Sequence, residues 1–106
     1  MSNVVKVALS RELNTHRGPV NELELHEPLA ASFRKYGEAV KAIPIDNDRV
    51  RFEYVDSAVL GFLTDMSGLD PVILDTLSAS DYLKLRATMT NMVFGIGDGA
   101  LGNRPT

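Results

Sequence analysis

The sequence predicts a small α+β domain: an N-terminal β-hairpin, then a mainly helical C-terminal half. Three observations carry this. Leu23 and Leu25 alternate with Glu22, Glu24 and His26, the period-two pattern of a strand with one buried face. Leu29, Phe33, Tyr36, Val40 and Ile43 recur at steps of four, three, four and three, as on one face of a helix. From Asp56 onward the apolar residues keep helical spacing almost to the end of the chain. A chain of 106 residues and 11.6 kDa holds one domain, expected over residues 1–94, with a glycine-rich tail over 95–106 expected to be mobile. Apolar residues at 44% are enough for a core, and charged residues at 24% match a globular chain rather than a disordered one.

Val4 to Leu9 is short and rich in β-branched residues, so it reads as the first strand. The turn formers Asn14 to Pro19 follow, and Val20 to His26 returns as the second strand. Pro28 suits the first turn of a helix, where its missing N–H costs nothing, and the stripe then predicts a helix from Pro28 to Ala42. Gly37 lies inside that helix and weakens it by about 1 kcal/mol relative to alanine. Pro44 marks its end. Asp46-Asn47-Asp48 is a turn. In Arg49 to Val55, Val50, Phe52 and Tyr54 alternate with charged residues; a third strand and the lead-in to a helix are both open readings.

The next helix starts at Asp56, groups Val59, Phe62, Leu63 and Met66 on one face, and stops at Gly68. Asp70-Pro71 combines an N-cap residue with proline at the first helical position, opening a short helix to Leu77. Ser78-Ala79-Ser80-Asp81 has the form of a capping box and opens the last helix, Ser80 to Phe94. This helix carries two apolar rows: Tyr82, Leu85, Met89, Met92 and Ile96 on one, Leu83, Ala87 and Phe94 on the other.

Several function classes are disfavoured by composition. With no cysteine there is no disulfide, thiolate metal site or cysteine nucleophile, and two histidines do not make a multi-histidine metal site. A net charge of −3 argues against a nucleic-acid binder. The pair Pro71–Leu77 and Ser80–Phe94 resembles helix-turn-helix only in outline, since its second helix offers Lys84 and Arg86 beside Asp81. No basic segment followed by a long apolar run is visible, so the chain is expected neither to be exported nor to enter a membrane, and most simply to stay in the cytoplasm. His16 and His26 sit in or beside turns, where exposed or capping roles outweigh catalysis. Asp46 and Asp48 lack the remaining ligands of a calcium loop. The terminal Gly-Ile-Gly-Asp-Gly has no helix after it to hold a phosphate. No catalytic residue, cofactor or metal is therefore expected.

What remains is apolar surface. A helix with two apolar rows is either central to its own core or partly covered by a partner. Methionine suits surfaces that accept variable apolar partners, and also fills core gaps. The expected partner-facing set is Phe62, Met66, Leu85, Met89, Met92 and Phe94.

Taken in order, several short motifs resemble the tail assembly chaperones of Mu-like contractile-tailed phages. They are Lys6-Val7-Ala8-Leu9, Gly18-Pro19-Val20 and Leu23-Glu24-Leu25-His26-Glu27-Pro28, then Leu63 to Leu69, Val72 to Leu77, and Ser78 to Tyr82. The resemblance spans about Lys6 to Phe94; Asp46–Tyr54 and the glycine-rich tail depart from the pattern. It implies a non-enzymatic protein of the bacterial host cytoplasm that binds apolar helical segments of the tape measure protein and keeps it soluble. The chaperone is then absent from the finished particle. A frameshifted longer form of the chain, the tail-tube protein and a homo-oligomer are further partners it brings into view. The competing readings are a small acidic regulatory or antitoxin-like interaction module, and a small enzyme using His26 and Glu27.

Overall fold

Apolar alternation at both ends of the N-terminal segment builds its first unit. In the computed structural model, which describes residues 4–94, β1 (Val4–Thr15) and β2 (Gly18–His26) form an antiparallel hairpin about a tight turn. Gly18 takes φ 103°, a conformation that a side chain disfavours, and the Thr15 hydroxyl donates to its carbonyl at 2.8 Å. Val7, Leu13, Leu23 and Leu25 turn inward from the two strands. β1 is longer than the sequence reading because its register shifts between Ala8 and Leu13, where β1 bulges away from β2. The polar run Ser10-Arg11-Glu12 hides that continuation.

α1 (Ala30–Tyr36) is one element where the reading changes. The stripe predicted a helix to Ala42, but Gly37 ends it, at φ 78° and with its N–H bonded to the Phe33 carbonyl at 2.8 Å. Val40 and Ile43, expected on that helix, belong instead to β3 (Val40–Asp46). β3 pairs antiparallel with β4 (Arg49–Tyr54), so the open reading of Arg49–Val55 resolves as a strand, and its partner is one the sequence had not shown. The Asp46–Asp48 turn links the two, with Arg49 clamped on Asp46 at 2.8 Å.

α2 (Asp56–Ser67) ends at Gly68 in the left-handed conformation, as its sequence indicates. α3 is shorter than predicted, Pro71–Leu74, with Pro71 in its first turn but no side-chain bond from Asp70. α4 (Ala79–Phe94) completes the domain. α2 lies centrally: Ala58, Val59, Phe62, Leu63 and Met66 are buried against the first hairpin, α1 and α4. Phe62 meets Phe33 edge-on, ring centroids 4.9 Å apart. Gly61 lets the Tyr36 ring lie on α2, since a Cβ there would come within 2.5 Å of the ring. The second hairpin stands apart from this core, with only Val40 buried, and the molecule is elongated, 46 × 27 × 27 Å. No helix among the described residues is long and apolar enough to cross a membrane. The expectations for the tail 95–106, including Ile96 and the Gly-x-Gly run, lie outside the described residues.

Candidate interaction surface

The sequence nominated six side chains as partner-facing, and the structure corrects most of that set. Phe62 and Met66 on α2, and Leu85 and Met89 on α4, are 0–1% exposed. A domain this small needs its largest apolar side chains to close its own core, and these four do so. Met92 is half-buried against the same core. Phe94 alone is clearly open, at 40%. Of the second row on α4, Leu83 and Ala87 are exposed with it.

The polar candidates are dispersed. His16 is exposed at the tip of the first hairpin and His26 lies at its far end, opposite Val4. His26 is 4.0 Å from Glu24, both side chains more than half exposed. Neither histidine lines either of two shallow surface depressions, of about 250 and 300 Å³. Asp46 spends its carboxylate on Arg49 and on the Asp48 N–H, and Arg49 holds its pKa below the ordinary value. That is an arginine clamp across a turn. Among the described residues no cluster of histidine and carboxylates has metal-binding geometry.

Two polar groups that the sequence did not reveal brace the fold. Asp81, read as the acidic half of a capping box, does receive the expected support at its backbone: its N–H donates to the Ser78 hydroxyl at 3.2 Å. Its carboxylate, however, crosses to the bulge in β1. The Ser10 N–H donates to both oxygens, at 2.9 and 3.0 Å, and the Ser10 hydroxyl donates at 3.0 Å. The bulge frees that N–H from the β ladder, and the buried carboxylate satisfies it. The Ser10 N–H is the main cause of a lowered Asp81 pKa; desolvation opposes it, and the Ser10 and Ser78 side chains reinforce it. Asp65 on α2 accepts from Ser32 at 2.7 Å and Tyr36 at 3.3 Å and pairs with Lys35 at 3.1 Å, tying α1 to α2. Desolvation pushes the Asp65 carboxyl upward, but the bonds from Ser32 and Lys35 outweigh it and the net shift is downward. The same pairing raises the Lys35 pKa. Both groups are saturated by their own partners, which suits a structural role.

Open apolar surface gathers on the second hairpin. Val40 stands opposite Tyr54, Ala42 opposite Phe52 and Pro44 opposite Val50. These positions share one face because side chains alternate along a strand. At its base, Tyr54 bonds Thr90 at 3.1 Å and the Arg86 guanidinium lies over the Tyr54 ring at 3.9 Å. Farther out, Phe52 stacks on Phe94 with centroids 5.8 Å apart. Ala42, Pro44, Val50, Phe52 and Phe94 all remain exposed, Val50 by 53% and Phe52 by 38%. The reverse face carries Lys41, Arg51 and Glu53 around Ile43, and Ile45, at the register shift beyond Pro44, is also exposed, at 51%. The hairpin is thus amphipathic, with its apolar face covered only at the base by α4. Comparison with known protein families, with curated proteins and with solved structures returned no match.

Proposed function

We propose that this chain is a non-enzymatic binding protein that lays an apolar helical segment of a partner along the open face of β3–β4 and the end of α4. One observation carries the reading: Val50, Phe52 and Phe94 form an exposed apolar group on an arm that has almost no core of its own. Exposed apolar side chains gathered on one surface, beside charged ones on the reverse, fit a protein-binding site. A half-open strip of this kind takes up the apolar stripe of an amphipathic helix, while the net −3 of the chain favours solubility of the complex. The tail assembly chaperone role implied by the sequence resemblance is the specific form we favour, with the tape measure protein as the helical partner. The partner-facing residues in this reading are Val50, Phe52 and Phe94, in place of the buried Phe62, Met66, Leu85 and Met89.

The test is co-expression with the long helical protein that this reading expects to be encoded beside the chain's own gene, reading the fraction of that protein kept soluble. Phe52→Asp and Val50→Asp should abolish solubilisation while far-UV circular dichroism stays unchanged. Val72→Asp, on the exposed side of α3 at 75% exposure, should behave as wild type. Folded Phe52→Asp protein that solubilises as well as wild type contradicts the assignment.

A further inference from the structure

An isolated two-stranded hairpin is marginal in water; further strands or packing against a helix complete it, and α4 covers only the base of this one. Among the described residues β3 and β4 form a sheet of two strands, so each presents an edge that no other described strand pairs. The two edges are not equivalent. The Val55 N–H donates to the Ala39 carbonyl at 2.9 Å, which makes Ala39/Val55 a hydrogen-bonded pair. Because such pairs alternate along an antiparallel ladder, Lys41/Glu53 and Ile43/Arg51 bond inward, and the residues between them turn their backbone groups outward. On β3 the outward residues include Pro44, which has no N–H, followed by a register shift before Asp46. Proline and a bulge are the devices that block strand pairing, so this edge is closed. On β4 the outward residues are Val50, Phe52 and Tyr54, each with an N–H and a C=O to offer.

From this asymmetry we infer that β4 pairs antiparallel with β4 of a second copy of the chain, about a two-fold axis through Phe52, making one four-stranded sheet β3-β4-β4-β3. Charge selects the axis. Outward residues must oppose outward residues, which leaves only a few registers. With the axis at Arg51, Arg49 faces Glu53 at both ends but Arg51 opposes itself; with the axis at Glu53, two carboxylates oppose each other; with the axis at Tyr54, no charged residues face one another. With the axis at Val50, Arg49 opposes Arg51. With the axis at Phe52, Arg51 faces Glu53 of the second copy at both ends, and Val50 faces Tyr54. Opposite charges across a strand pair stabilise it and like charges destabilise it. All the residues involved are exposed or half-buried in the single chain, where Arg51 bonds its own Glu53 at 2.8 Å, so the pairing shares or exchanges that exposed ion pair and nothing need unfold. The pairing uses backbone groups at the edge and charges on the polar face. It does not depend on what the apolar face binds, although it would place two such faces side by side.

The experiment is sedimentation equilibrium of the purified full-length chain from micromolar to millimolar concentration. The wild type should self-associate to a dimer. Arg51→Glu and Glu53→Arg, each alone, place like charges opposite one another at both ends and should weaken the dimer by about tenfold or more. An equimolar mixture of the two variant chains restores opposite charges at every facing position and should recover the wild-type association constant as a heterodimer. Circular dichroism of each variant verifies that the monomer is folded. Three results overturn the proposal: a wild-type chain that stays monomeric at millimolar concentration, single variants that dimerise as well as wild type, or a mixture no stronger than its components.

Discussion

Asp81 is buried, and three hydrogen bonds from Ser10 converge on its carboxylate. These donors favour the ionised form, so the folded pKa lies below the ordinary 3.8. A group whose pKa falls on folding contributes stability that is fully present above the unfolded value and is lost as pH drops through the folded value. The Asp81→Asn protein should therefore melt below wild type near neutral pH, and the gap should close as the solution is acidified from above 3.8 through the depressed value. Melting curves that stay parallel down to strongly acidic pH would mean the carboxylate charge is not what holds the bulge. At this scale the sequence was half informative. The Ser78–Asp81 spacing announced a helix start, and the Ser78 hydroxyl does take the Asp81 N–H. The carboxylate's real partner is 71 residues away in sequence, and no local pattern marks such a pairing.

At the scale of elements, the misread helix explains why the interaction surface was missed. Leu29, Phe33, Tyr36, Val40 and Ile43 satisfy a helical period arithmetically, but Gly37 at φ 78° stops α1 and the last two positions fall on a strand. A periodic count has no means of seeing such a break when residues on both sides of it are apolar. With Val40 to Ala42 assigned to a helix that stopped at Pro44, and Asp46 to a turn, the alternation of Val50, Phe52 and Tyr54 had no partner strand, and the apolar face shared by β3 and β4 could not be assembled. By contrast, Leu23 and Leu25 gave β2 correctly because a strictly alternating segment bounded by turn formers admits no helical reading. Gly68 likewise closed α2 where expected, in the left-handed conformation. A Cβ at Gly37 meets nothing within 4 Å, so any cost of Gly37→Ala comes from the backbone alone. Urea denaturation should show a loss of about 1–2 kcal/mol. An unchanged midpoint would show that α1 can run on past position 37.

The whole molecule divides its apolar residues between two tasks. α2, the first hairpin and the inner face of α4 consume Phe62, Met66, Leu85 and Met89 to close one core. The second hairpin extends from that core, amphipathic, with one edge blocked at Pro44 and the other free at Val50, Phe52 and Tyr54. The two apolar rows of α4 were legible in the sequence, but which row faces inward depends on tertiary packing, and small size decided it in favour of the core. Regions that change on binding are drawn from the less buried parts of a fold, and β3–β4 is such a part here. Hydrogen–deuterium exchange of the chain, free and with the helical partner proposed above, tests this division most directly. The account predicts new protection across Arg49–Tyr54 and at the last turn of α4 around Phe94, with α2 and the Leu85–Met89 turn unchanged. Binding that leaves the hairpin unprotected and instead loosens α2 and the middle of α4 would contradict it, since the buried set would then have opened to meet the partner.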